Sequence, residues 1–378
     1  MDIRIPFNRA TFVGRELEYV GQAVAAGHIS GDGAYTRRCH ELLRDLTGAR
    51  DALLTTSCTH ALEMAALLLE LGPGDEVIVP SFSFVSCANP FVLRGARPVF
   101  ADVREDTLNV DHTQLPSLIT SRTRAVLVLH YAGVAAEMDA ILETCGAAGV
   151  DVVEDNAHGF LGTYRGRPLG SFGRFASLSF HETKNLTCGE GGALLLNRDD
   201  DVARAEVLRE KGTDRSRFFR GLVDRYRWVD VGSSYLPSDM LAAILFAQLE
   251  QRDAVQARRR ELWDRYRDGL ATWAASSGVG LPHVPPECEH PAHLFYLVMP
   301  TGASRDRLLE SLRQAGILAV FHYLPLHLSP MGARFGGREG QCPVTERVSE
   351  RLLRLPLYHA MTPGEQDEVI QRVVAFAP

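Results

Sequence analysis

Short runs of aliphatic and β-branched residues alternate with helical patterns through the first two hundred positions. The runs are Ala52–Ser57, Glu76–Pro80, Pro98–Val103, Ala125–Tyr131, Val150–Asn156, Phe175–His181 and Gly192–Asn197. Amphipathic stretches such as Ala61–Glu70 and Met138–Ala148 lie between them. A strand with one wet face alternates polar and apolar side chains. These runs do not alternate, so both of their faces must be covered. Such strands interleaved with helices predict an α/β domain on a mostly parallel sheet.

Pro237 then opens a helical stretch that reaches Trp273, proline being well suited to a first helical turn. Segment 276–291, SSGVGLPHVPPECEHP, is rich in Gly and Pro and reads as a linker. A strand at Leu294–Met299, a helix at Ser304–Gln314, a strand at Leu318–Tyr323 and a final helical region predict a small C-terminal α/β domain. The expected division is 1–250 for the large domain with its N-terminal segment, 251–275 for the long helix and connection, and 276–378 for the small domain. A chain of 378 residues is long for a single core, which agrees with two units.

The net charge of −7 argues against a nucleic-acid surface. No apolar run has membrane-spanning length, and MDIRIPFNRATF has no signal-peptide core. The 7 cysteines are scattered without a CxxC pair, which predicts reduced thiols and a cytoplasmic protein. The 13 histidines form no HExxH-like cluster, so no metal is expected.

Of the 40 lysines and arginines, only Lys184 and Lys211 are lysine. Arginine keeps its proton at neutral pH, whereas a desolvated lysine becomes a free amine that attacks carbonyls and forms Schiff bases. Chance retention on the surface is the alternative, and the surroundings decide. Lys184 lies in SFHETKNLTCGEGG, after one strand and before the glycines that return the chain into the next. Ligands in open α/β sheets gather at the carboxyl ends of strands, and three other segments end strands there. TTSCTHALEM places Ser57, Cys58 and Thr59 at a helix start, a phosphate site or an ordinary cap. In VPSFSFVS one of Phe82 and Phe84 can face an open site and stack on a planar ligand. VVEDNAHG brings Glu154 and Asp155 to the end of a buried strand, where a carboxylate needs a partner; His158 follows. A phosphate cradle, an aromatic plate, an acid for a ring nitrogen and a Schiff-base lysine are the contacts that pyridoxal phosphate requires.

In order and spacing, TTSCTHALEMAA, PSFSFVS, VVEDNAHG, SFHETKN–CGEGG and VGSSYLPSDMLAA resemble the nucleotide-sugar aminotransferases of the DegT–DnrJ–StrS family, from about Ile5 to the C-terminus. Within that family the chain is most similar to the dTDP-4-amino-4,6-dideoxygalactose transaminases, through SGDGAYTRRCHELL, LTTSCTHALEMAALLLELGPGDEVIVPSF, EKGTDRSRFFRG and GSSYLPSDMLAA. The resemblance implies the pyridoxal-phosphate transferase fold type I, aspartate-aminotransferase-like, and a homodimer with shared sites. It implies that Lys184 carries the cofactor, Asp155 bonds the ring nitrogen, His158 lies beside the ring and Phe84 stacks on it. Cys58, Thr59 and Ser179 would hold the phosphate. Ser234 stands where the family usually has an Asn that reaches the phosphate of the other protomer, and its reach is shorter.

The implied reaction moves an amino group from L-glutamate to C4 of dTDP-4-keto-6-deoxy-D-glucose, with pyridoxamine phosphate formed between the half-reactions. Lys211, Arg215, Arg217 and Arg220 in KGTDRSRFFRGLVDRYRW suit a diphosphate, and the alternative is a solvated basic loop. His322 and Tyr323 in FHYLPLH match a family segment near the sugar pocket. A 3-keto-sugar aminotransferase and a non-catalytic regulator on the same fold are the competing readings.

Overall fold

A computed structural model describes residues 2–378. Seven strands form one sheet: β1 (Asp51–Thr55), β2 (Glu76–Pro80), β3 (Arg97–Ala101), β4 (Thr123–Leu129), β5 (Asp151–Asp155), β6 (Phe175–Ser179) and β7 (Gly192–Leu196). Each corresponds to one of the seven expected runs. Their spatial order is β1-β7-β6-β5-β4-β2-β3, and only β7 runs against the others.

The sheet is covered on both faces, as the non-alternating runs require. Helix α1 (Cys58–Leu68) packs Ala61, Met64, Ala65 and Leu68 with Phe91 and Leu208 over one face. On the other, Met138 and Ile141 cover β4 and β5. Helices Ala34–Thr47 and α2 (Asp239–Glu250) cover β1, β6 and β7 with Leu43, Leu245 and Leu249. The long helical stretch expected from Pro237 is two helices, α2 and α3 (Arg252–Ser277), divided at Gln251.

The second unit is a three-stranded antiparallel sheet, β8 (Phe295–Val298), β9 (Val320–Phe321) and β10 (Leu352–Leu355), in the order β8-β10-β9. Helices α3, α4 (Gly302–Gln314), α5 (Pro343–Arg351) and α6 (Pro363–Val374) accompany it. Its central strand, β10, falls in the region expected to be helical throughout. Alternate β10 residues serve different cores. Leu353 and Leu355 join Leu262, Tyr266 and Phe295, while Leu352 joins Phe82, Tyr131 and Tyr296 at the seam with the large sheet.

Two segments tie the units together. The N-terminal segment, grouped with the large domain on sequence, delivers Ile5 to the core of the small unit, where its backbone bridges Gly316 and Leu318. The expected linker does more than connect: Cys288–Glu289 pairs with Thr163–Tyr164 of the large unit. Buried side chains also dock the C-terminal segment onto strand ends. Ser81 bonds His327 Nδ1 (2.6 Å), whose Nε2 meets Glu346 (2.9 Å), and Asp102 accepts from the amides of Val344 and Thr345.

Candidate active site

The carboxyl ends of β1, β2, β4, β5 and β6 share one edge of the large sheet. Loops leaving that edge, with residues of the small unit, line a cavity of about 350 Å³. Ser57, Cys58, Thr59, Phe84, Asp155, His158, Ser179, Lys184, His322 and Tyr323 all line it.

At the start of α1, the Ser57 hydroxyl accepts from His60 N at 3.1 Å, so the cap expected as an alternative is present. It leaves the amides of Cys58 and Thr59 without an acceptor among the described residues. Their placement depends on Gly192 across the β1–β7 pair: a Cβ there would lie 2.4 Å from Cys58 N. Of the three glycines after Lys184, only Gly189 takes a left-handed turn (φ 87°). Gly192 is there for close approach.

After β2, Phe82 is buried in the seam while Phe84 is 57% exposed and faces the cavity. Glu154 and Asp155 separate in the same way at the end of β5, because neighbouring strand residues point to opposite faces. Glu154 is enclosed by His130 (2.9 Å) and the amides of Gly170, Phe172 and Gly173 (2.7–2.8 Å). Asp155 turns to the cavity. It is buried, has no ion pair among the described residues, and accepts from Ala157 N (3.1 Å) and from the Cys87 thiol (3.1 Å). The Cys58 thiol lies between Ser177 Oγ (3.2 Å) and Asp155 (3.9 Å).

Lys184 reaches into this space from the loop after β6. Its ammonium makes no hydrogen bond or ion pair among the described residues. Desolvation pulls its pKa below the usual lysine range, against the upward pull of Cys58 and Asp155. His158 stacks on His293 at 4.5 Å and bonds Tyr323 at 3.3 Å. Its Nδ1 is buried without a partner. Burial and the nearby lysine hold its pKa well below the usual histidine value, so the ring is neutral.

Lys211, Arg215, Arg220 and Ser234 are not brought to Lys184 within the chain. They line a second cavity of about 920 Å³. The cations there already have carboxylate neighbours: Glu210 meets Lys211 (2.9 Å) and Arg215 (3.2 Å), and Glu206 meets Arg220.

Cavity residues that escaped sequence reasoning include Cys87, His293 and Arg354. Only Arg354 carried a local signal, as the one charge in the apolar run LLRLPL. Among the described residues no three or more His, Cys, Asp or Glu are placed to hold a metal, and no helix is long and apolar enough to cross a membrane.

Free amides at a helix start, a buried carboxylate lacking a cation and a desolvated lysine lacking an anion fit pyridoxal phosphate. Sheet order and donors together fit a pyridoxal-phosphate enzyme. The DegT/DnrJ/EryC1/StrS aminotransferase family matches residues 11–374, and the chain belongs to that family. The spore coat polysaccharide biosynthesis protein SpsC of Bacillus subtilis is 32% identical over 98% of this chain and 96% of its own. The crystal structure of the aminotransferase TlmJ from Streptoalloteichus hindustanus is 32% identical, covers 99% of this chain and 98% of its own, and superposes with a TM-score of 0.89. The pyridoxal-phosphate form of the sugar aminotransferase Spr1654 from Streptococcus pneumoniae, 27% identical over 98% of each chain, superposes at 0.90. The protein is a pyridoxal-phosphate-dependent sugar transaminase.

Proposed function

We propose that the protein transfers the amino group of L-glutamate to C4 of dTDP-4-keto-6-deoxy-D-glucose, giving a dTDP-4-amino-4,6-dideoxyhexose. What supports the regiochemistry is the sequence resemblance to 4-aminotransferases in the LTTSCTHALEM helix start and the EKGTDRSRFFRG loop. A relative named for polysaccharide biosynthesis accords with an aminosugar product.

In this reading Lys184, Asp155 and His158 are the catalytic residues. Bound in the cavity, pyridoxal phosphate supplies an electrophilic carbonyl carbon and a ring that takes up electron density. The amides of Cys58 and Thr59, at the positive end of the α1 dipole, would hold the phosphate with the Ser179 hydroxyl. Ser57 acts one step back, fixing that turn. Phe84 would stack on the ring. Asp155 would hold a proton on the ring nitrogen, the buried charge pair its position otherwise lacks. Lys184 Nζ, whose desolvation favours the free amine, would hold the carbonyl carbon and carry a proton between substrate and cofactor carbons. His158 would hold the ring edge through its unpartnered nitrogen, with His322 and Tyr323 on the sugar side.

The nucleotide belongs to the second cavity. Ser234, Lys211, Arg215 and Arg220 of one protomer face the Lys184 cavity of its partner across a homodimer, which is why one chain separates them. Both anchors then fix the distance from diphosphate to the reacting carbon. A misplacement of about 1 Å costs roughly 100-fold in rate, so the 4-keto sugar should outrun its 3-keto isomer by about that factor. Competition between the two ketones with glutamate, scored by NMR for the position of the new amine, checks it. A C3 amine as main product overturns the regiochemistry.

A further inference from the structure

One short helical turn, Val85–Cys87, joins three walls of the Lys184 cavity. Phe84 precedes it, and the Cys87 amide closes it on the Phe84 carbonyl at 2.9 Å. Ser86 Oγ meets Thr59 Oγ1 at 2.8 Å, which ties the turn to the start of α1. The Cys87 thiol donates to Asp155 Oδ2 at 3.1 Å. The side chains given above to the ring face, the phosphate and the ring nitrogen therefore share one support. Cys87 itself has no part in that scheme.

Few bonds hold the Asp155 side chain. Oδ1 accepts from Ala157 N at 3.1 Å. The Cys58 thiol stands off at 3.9 Å and lies closer to Ser177 Oγ, at 3.2 Å. Lys184 and Arg354 line the same cavity without bonding the carboxylate among the described residues. One amide thus holds one oxygen and one thiol the other, and the two bonds set the carboxylate plane. The terminal torsion of an aspartate is soft, so a single bond leaves that plane free to turn. Burial, reinforced by the Asp155 charge, pushes both thiols up, so both keep their protons and can donate. A thiol is a weak donor. It can orient the carboxylate without competing strongly for the charge that a protonated ring nitrogen needs.

We propose that Cys87 is a positioning residue for the cofactor nitrogen: its S–H donation fixes the Asp155 carboxylate in the plane from which it holds the ring proton. The inference rests on the reading of Asp155 as the partner of that nitrogen, and the test separates the two.

The test uses holoprotein reconstituted with pyridoxal phosphate isotopically labelled at the ring nitrogen. Nitrogen NMR reads whether that atom is protonated. The second readout is the pH at which the visible band of the bound cofactor titrates. A ring without its proton repels the proton on the neighbouring Lys184 nitrogen less, so the band then titrates at higher pH. Cys87→Ala should move the nitrogen signal toward the unprotonated position and raise the band midpoint by about half to one pH unit, the scale of one lost hydrogen bond. Cys87→Ser restores a donor and should recover most of both shifts. Cys145→Ala removes a buried thiol from helix Met138–Ala148, outside the cavity, and should move neither readout. Asp155→Asn should abolish the protonated signal. If Asp155→Asn leaves that signal in place, the reading of Asp155 falls and takes the inference with it. If Asp155→Asn abolishes it and Cys87→Ala changes neither readout, the inference alone is overturned. Equal shifts in Cys87→Ala and Cys87→Ser also overturn it, since lost volume and not the donor would then matter. Should Cys87→Ala not fold, Cys87→Val fills the space without a donor and carries the same expected shifts.

Discussion

In the proposed reaction a single amine, that of Lys184, carries the chemistry, and arginine is the sharpest substitute for it. Lys184→Arg keeps positive charge and length in the loop after β6 but cannot form a covalent link to a carbonyl. The variant should fold, bind pyridoxal phosphate reversibly and transfer no amino group. Borohydride should fix the cofactor to residue 184 in the wild type and to nothing in the variant; label on Lys211 would refute the assignment. Lys184 stood out in the sequence because lysine is almost absent from this chain, and Asp155 because a carboxylate ended a buried strand. Telling Asp155 from Glu154 required three dimensions, since the loop that encloses Glu154 begins only at Gly170. Cys87 and His293 were illegible for a similar reason. Cys87 meets Asp155 across 68 positions, and nothing near His293 in sequence announces that it stacks on His158.

The helix start of α1, the proposed phosphate site, sits where it does because Gly192 of β7 lets it come close. Gly192→Ala would place a methyl against Cys58 N and the Ser57 carbonyl. Overpacking of this kind should lower stability by about 1–3 kcal/mol and speed loss of pyridoxal phosphate on dialysis. Gly146→Ala, in helix Met138–Ala148 with nothing within 4 Å, should leave cofactor retention unchanged. Thermal unfolding and cofactor absorbance after dialysis check both, and equal behaviour of the two variants would remove Gly192 from the account. At this scale the seven buried strands were legible because burial on both faces writes itself as unbroken apolar runs. β10 was not, because LLRL follows α5 with no Gly or Pro between them. The break at Gln251 was hidden likewise, as neither Glu250 nor Arg252 interrupts a helical pattern. Pairing across the small sheet decided the first case and the backbone at Gln251 (φ −96°, ψ 8°) the second.

The whole molecule holds several histidines as neutral rings, and that makes its stability depend on acidity. Burial depresses the pKa of His158, His293 and His322, and takes His290 down to about 4. Unfolded, each would titrate near 6.5. Below that pH the unfolded chain takes up protons that the folded chain refuses, so stability falls with the pH. Each ring contributes up to about 1.4 kcal/mol per pH unit until its folded pKa is reached. The melting temperature should therefore drop steeply between pH 6.5 and about 5, and His290→Gln should make the descent shallower; a flat profile would show that the rings titrate freely. The threading of the chain has a different consequence, in time rather than energy. Ile5 is made early yet finds its partner only at Gly316–Leu318; Ser81 waits for His327, and Asp102 for Thr345. The cavity draws its walls from Phe7 to Leu357. During synthesis the seven-stranded sheet can condense as soon as β7 has emerged, whereas the Lys184 cavity is assembled last, when nearly all of the chain is present.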